Sequence, residues 1–321
     1  MKKNKTIISL IIVILVISGI WYFTSNQKQE VVSVKISDRG LASALPIYVA
    51  IEKGFFAKYD LKPELIKFTT GNDVLNALIR NDLDIGEIPV DPLIFAEDKT
   101  ETKTKIFLVG KWSDSENRNF DGLLVRKESK IKSLTDLVGK KVGVFPGITA
   151  KTFLSSYLDK NRVSSKGVEF IELAPNVQLQ SLSSGAIDAL FAYQPTVTIA
   201  EKNNDLLKID ESIFNKLDFN YFAVYSFSDS FVKSGLADKA QEVFSEAIQY
   251  MKDNQNESRQ ILSKYTSLGN LSLQMTYFPQ YHKSNTGDVK DISGLVQFYF
   301  SKNLIKSMLD DNKIKSIFYG I

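Results

Sequence analysis

Apolar and polar positions along this chain follow two interleaved periods. Apolar, largely β-branched runs at 31–37, 61–68, 83–88 and 105–112 have the length and flanks of strands. Between them the period lengthens to that of helices. Leu45-Pro46 opens a helix predicted to reach about Tyr59, and Pro46 suits a first helical turn. Residues 69–73 serve as loop and cap for a helix ending near Arg80, and Pro89-Val90-Asp91-Pro92 turns into a shorter one. Strands alternating with helices at this spacing predict βαβ units and a mostly parallel sheet.

The pattern then starts again. A strand at 122–126 and a helical turn at 133–137 lead to strands at 141–145, 168–173, 187–192 and 206–209. Helices at 148–159 and 176–184, and a short one from Pro195, lie between them. The second round echoes the first. Leu75, Leu78 and Asp84 are spaced as Leu179, Leu182 and Asp188, the aspartate nine residues after the first leucine in both. Two similar α/β lobes follow, with 122–126 and 219–227 as a pair of crossover strands. The predicted first lobe is 31–121 plus 224–321, and the second is 122–223. The C-terminal third reads as helical at 237–253, 257–265 and 290–300, with helical character again at 302–311. The stretch 277–287 reads as irregular.

Composition narrows the chemistry. Of 321 residues 44% are hydrophobic and 24% charged, as in ordinary globular chains. There is no cysteine, which excludes disulfides, thiolate metal sites and cysteine nucleophiles. One histidine, His282, rules out a multi-histidine metal centre and leaves a Ser/His/Asp triad a single possible centre. It sits among aromatic residues and reads as packing. No cofactor or metal is expected. Residues 1–30 carry a balance of +3 and so does the whole chain, so the remainder is neutral and no nucleic-acid surface is expected. Ile7 to Phe23 is nearly all apolar behind Lys2, Lys3 and Lys5. At roughly 25 Å this stretch is long enough for a membrane anchor. The poor cleavage site at Ser18-Gly19-Ile20 favours an uncleaved anchor over a signal peptide, with the lysines cytoplasmic and the lobes outside.

The candidate chemistry centres on Lys141-Val142-Gly143-Val144-Phe145-Pro146-Gly147-Ile148-Thr149-Ala150, a strand turning through glycine into a helix. A helix start offers unpaired N–H groups and a positive dipole end, so Gly147, Ile148 and Thr149 form a candidate anion nest. The spacing of a phosphate loop is absent. Arg39, Lys111 and Trp112 also lie at strand ends, where both cations read as solvated. Glu52 reads as structural and Phe222 as core.

With these motifs in place, the chain resembles the sulfonate/nitrate/taurine and pyrimidine-precursor group of ABC-transporter substrate-binding proteins. The resemblance rests on Pro46-Ile47-Tyr48-Val49-Ala50-Ile51-Glu52-Lys53-Gly54-Phe55-Phe56 and Leu83-Asp84-Ile85-Gly86. It continues through Leu137-Val138-Gly139-Lys140-Lys141, Gly147-Ile148-Thr149-Ala150 and Gly185-Ala186-Ile187-Asp188-Ala189-Leu190-Phe191-Ala192-Tyr193-Gln194-Pro195. It implies a non-enzymatic, monomeric clamp of two Rossmann-like lobes that hands a small solute to an ABC permease and its ATPase. It also implies a cleft lined from the first lobe by the loop before Leu45 and Pro46, by Gly71, Asn72, Val90 and Asp91, and by Trp112. From the second lobe come Gly147, Ile148, Thr149, Tyr193 and Gln194. Thr149 favours an anionic group on the solute, and Asp91 an amine or amino-pyrimidine. The alternatives are an enzyme of cofactor biosynthesis on the same fold, or a sensing receptor domain.

Overall fold

The computed structural model describes residues 31–111, 120–211, 213–217, 219, 221–266, 269–274 and 278–321. The expected anchor at 7–23 and Trp112 lie outside them, as does the side chain of Phe222. Among the described residues no helix is long and apolar enough to cross a membrane.

Two sheets form two α/β lobes. The first is built on β1 (Val32–Asp38), β2 (Leu61–Lys67), β3 (Ile85–Ile88) and β4 (Lys105–Lys111), carrying α1 (Leu45–Glu52), α2 (Gly71–Ile79) and α3 (Val90–Glu97). The second contains β5 (Asp121–Arg126), β6 (Lys141–Val144), β7 (Glu169–Glu172), β8 (Ala189–Tyr193) and β9 (Leu206–Glu211). Its helices are α4 (Ile148–Lys160), α5 (Pro175–Ser183), α6 (Thr196–Glu201) and α7 (Ile213–Lys216). The chain then returns as β10 (Tyr221–Phe227), α8 (Asp229–Lys233), α9 (Ala237–Asp253), α10 (Gln255–Tyr265), β11 (Gln280–Lys283), α11 (Thr286–Ser301) and α12 (Asp311–Ser316). The strand orders are β11-β4-β10-β3-β1-β2 and β7-β6-β8-β5-β9. β1 runs parallel to β2 and β3, and β6 runs parallel to β7 and β8.

The echo between the two rounds has a structural cause. In the first lobe Asp84 Oδ2 accepts the Lys35 N–H at 2.8 Å while its own N–H donates to the Lys35 carbonyl at 3.0 Å. In the second lobe Asp188 does the same with Lys141, at 2.9 and 2.8 Å. Each aspartate thus ties the approach to its strand to the neighbouring strand, β1 or β6, and sets the register. Asp84→Ala and Asp188→Ala should each lower the unfolding free energy by about 1–2 kcal/mol, read from denaturant midpoints. A change well under half of that for both would remove this account of the echo.

Several expectations are corrected. The first helix stops at Glu52, because Gly54 takes a left-handed φ of +68°, and only a 3₁₀ turn at Phe56–Tyr59 follows. The expected crossover strands each belong to one sheet. β5 pairs antiparallel with β8 and β9, and β10 pairs antiparallel with β3 and β4. The chain passes from the first lobe to the second after β4 and returns after α7. Within the supposedly irregular 277–287 stretch, β11 adds an antiparallel strand to β4. Residues 302–307 are turns and bends, with Asn303 at φ +55°, and the next helix forms only at Asp311 behind the Asp310 cap.

The C-terminal helices pack onto the first lobe, as α9 and α10 against α1. Tyr265 stacks on Tyr48 at 4.4 Å between ring centres, and Glu52 accepts hydrogen bonds from Lys264 and Tyr265. His282 bonds Asp288, the residue that closes the cap of α11, which ties the β11 edge to that helix. Lys111 also pairs with Asp288 and with Asp291, so it is not the solvated cation expected.

Candidate functional site

The carboxyl ends of β1, β2 and β3 face those of β6 and β8 across a cleft, the place where open α/β sheets offer ligands their loops and helix starts. The cleft encloses a cavity of about 60 Å³, space for several waters or a small solute. The first lobe contributes Arg39, Leu41, Ser43, Gly71, Asn72, Pro89, Val90, Asp91 and Pro92 to its wall, and α11 contributes Leu295. From the second lobe come Phe145, Pro146, Gly147, Ile148, Thr149, Phe153, Tyr193, Gln194 and Phe214, with Phe120 just before β5 and Phe219 shortly before β10.

The loop-to-helix turns bring backbone close to this space. Gly71 opens α2 where an added Cβ would lie 2.6 Å from Pro89 Cδ, so α2 and α3 start side by side only with glycine there. Gly147, at φ +103°, opens α4 without any side-chain cap. The starts of α2, α3 and α4 therefore converge on one cavity, where their dipoles favour negative charge. Part of it is already supplied by Asp91 in the first turn of α3 and by Glu172, whose carboxylate accepts the Gly147 N–H at 3.3 Å.

Arg39 gives this wall a cation. Its side chain is only 4% exposed, against the expectation of a solvated residue. The guanidinium bonds the Glu87 carboxylate through Nη2 at 2.8 and 2.9 Å and through Nε at 3.1 Å. Its Nη1 has no hydrogen-bond partner among the described residues and lies on the Gly71 side. Asp38 shapes the loop that carries Arg39, accepting from Tyr48 Oη at 2.7 Å and from the Gly40 N–H at 2.8 Å. Through Tyr48 these bonds tie the loop to α1.

Asp91 stands in the first turn of α3 and is 3% exposed. Burial pushes its carboxyl up to about 6, partly offset by the hydrogen bond it accepts from Thr149 and by the charge of Arg39. That bond joins the lobes: the Thr149 hydroxyl of α4 donates across the cleft to Asp91 Oδ2. A second bridge is aromatic, with Phe298 of α11 lying 6.0 Å from Phe153 and 4.8 Å from Phe219. Tyr193 stacks on Phe120 at 4.7 Å. Its hydroxyl, buried, lacks a partner among the described residues, and so does the Oγ of fully buried Ser43. Unpaired buried hydroxyls are costly unless something else meets them.

Of the residues expected from sequence, the structure brings Gly71, Asn72, Val90, Asp91, Gly147, Ile148, Thr149, Tyr193 and Gln194 to the cavity wall. Gln194 turns its side-chain carbonyl to Thr198 Oγ1 at 2.8 Å. Leu45 and Pro46 stay out of the wall. They are buried in the first-lobe core because α1 lays that face on the sheet, and Ser43, just before that helix, reaches the cavity instead. The loop before Leu45, expected to line the cleft, does so through Arg39, Leu41 and Ser43, while sequence reasoning missed the aromatic wall of Phe120, Phe145, Phe153 and Phe214. Phe145 is the one of these that strand-end position could have flagged.

Residues 42–258 match the family model described as NMT1/THI5 like, about two thirds of the chain. The chain belongs to the NMT1/THI5-like family. A stretch of 172 residues is 28% identical to the taurine-binding periplasmic protein of Escherichia coli K12, covering 53% of this chain and 52% of that one. The chain thus spans about half the length of the curated relatives it matches. Its fold is similar to that of the periplasmic aliphatic sulphonate binding protein SsuA from Escherichia coli, with a TM-score of 0.70 at 17% identity over 89% of this chain and 92% of that one. The alkanesulfonate-binding protein SsuA from Xanthomonas axonopodis pv. citri, bound to MOPS, gives 0.71 at 14% identity over 89% and 98%. Chains with this two-lobed architecture include binding proteins of ABC import systems.

Proposed function

We propose that this protein is the extracytoplasmic solute-binding component of an ABC importer, taking a small acidic solute of the sulfonate kind between its lobes. One observation carries the reading. A cavity between two lobes is walled by helix starts from both, by a buried arginine whose Nη1 has no partner among the described residues, and by the similarly unpaired buried hydroxyls of Ser43 and Tyr193. Such a wall is unsatisfied when empty and complementary to a compact, oxygen-rich anion. The taurine-binding relative and the sulfonate-binding structures favour the same class of solute.

In this reading Gly71, Asn72, Val90, Asp91, Gly147, Ile148, Thr149, Tyr193 and Gln194 contact the solute, together with Arg39 and Ser43. Lobe closure excludes water and strengthens each polar contact. The stretch from Ile7 to Phe23 anchors the chain in the membrane, and a permease with its ATPase receives the solute. His282 is engaged with Asp288 and lines no part of the cavity, which favours binding over turnover.

A thermal-shift panel on the full chain in mild detergent tests this, using alkanesulfonates, taurine, nitrate, short carboxylates and amino-pyrimidines. A true solute at 100-fold its Kd should add about 2.7 kcal/mol. That raises the melting temperature by several degrees. A flat response to every acidic probe, or conversion of any of them to product, would overturn the reading.

A further inference from the structure

The charges around the cavity do not balance for a simple anion. Arg39 is the cation on its wall, and Glu87 already neutralises it through a two-pronged ion pair at 2.8 Å. Asp91 is a second buried carboxylate, and no cationic side chain among the described residues bonds it. Its partner across the cleft is the neutral Thr149 hydroxyl. The charged and ionisable groups near Asp91 are Arg39 after β1, Tyr193 at the end of β8 and Tyr299 on α11. The two tyrosines are neutral at ordinary pH, their burial raising them further. A carboxylate out of water without a counter-charge is costly. The helix starts and the Nη1 of Arg39 ask for negative charge, whereas Asp91 asks for positive charge. A lone anion would satisfy the first and be repelled by the second.

We propose that the solute is a small zwitterion, with its acidic head between Arg39 and the helix starts and its ammonium on the carboxylate of Asp91. The ammonium takes the place of the Thr149 hydroxyl at Asp91 Oδ2, and Thr149, released, is free to serve the head group beside Gly147. Ser43 supplies the independent sign that a ligand belongs here. Its Oγ is fully buried on this wall and unpartnered among the described residues, able to donate to an acidic oxygen. The proposal rests on the solute-binding reading above and narrows it from acidic solutes in general to those that also carry an amine.

Titration calorimetry on the full chain at pH 7.5 separates the two. The probes are taurine, β-alanine and propane-1-sulfonate, which matches taurine in size but carries a methyl group where taurine has its ammonium. At least one amine-bearing probe should bind the native protein 30-fold or more tighter than propane-1-sulfonate. In Asp91→Asn, a substitution of the same shape, that preference should fall to within about threefold. The loss should come from the amine-bearing probe, while propane-1-sulfonate holds or tightens. Propane-1-sulfonate binding as well as taurine or better would overturn the zwitterion and leave the solute-binding reading standing. The zwitterion is equally overturned if Asp91→Asn weakens all probes to the same extent while melting like the native protein. Binding of none of these probes to the folded native protein would overturn the zwitterion, and the solute-binding reading falls with it only if the wider acidic panel is flat as well.

Discussion

Arg39→Met should lower the unfolding free energy by about 3–5 kcal/mol, because it leaves Glu87 as a buried charge without its partner. Both side chains are nearly sealed from solvent, and Glu87 has no other cation bonded to it among the described residues. The same variant should lose measurable affinity for acidic solutes. Loss of binding in a destabilised variant proves little, so the informative variant is Arg39→Met/Glu87→Leu. Replacing a buried pair by apolar side chains of similar volume is often neutral or stabilising. The double variant should therefore melt in urea within about 1 kcal/mol of the native chain and still fail to bind. If it binds solute as the native protein does, Arg39 only holds the fold.

Lowering the pH from 7.5 to 5 should raise the melting temperature, the reverse of ordinary acid destabilisation. Asp121, fully buried at the start of β5, accepts the N–H groups of Ile213 and Phe214 at 2.7 and 3.3 Å. Burial pushes its carboxyl up to about 7; the neighbouring Asp210 adds to this and Lys216 opposes it. Asp91 is pushed up to about 6. Unfolded, both titrate near 3.9. Between those limits the folded chain binds more protons than the unfolded one, so stability falls as pH rises and levels off above about 7. For Asp121 this amounts to at most roughly 4 kcal/mol across the window. Below about pH 4 the trend reverses. Burial alone would raise Asp288, but hydrogen bonds from His282 and Lys111 hold it well below the usual carboxylate range, and that stability is lost as it protonates. Asp121→Asn should flatten the neutral limb and gain stability at pH 8. Scanning calorimetry from pH 4 to 8 is the check, and a native chain with a flat profile between 5 and 7.5 would contradict this assignment of the buried carboxyls.

What the sequence by itself determined is local and periodic. Alternating strands and helices, glycine at the start of α4, and the matching aspartates at 84 and 188 follow from residues close together in the chain. They were enough to read two α/β lobes, while the shared cleft came from the family resemblance. Most cleft residues that the resemblance implies follow strand ends, and the structure brings them to the cavity wall. The misses have one physical reason in common: their environment is set by residues far away in sequence. Arg39 reads as a surface cation until Glu87, 48 residues on, buries it. β11 has too little pattern to be a strand until the edge of β4 pairs with it. Leu45 and Pro46 cannot be told from wall residues until α1 is laid on its sheet. The helix start at Gly147 was legible as a place for negative charge. Only tertiary structure set Thr149 against a buried, uncompensated Asp91 from the other lobe. Charge balance within a cavity depends on every group folded around it, and no local stretch of sequence contains that sum.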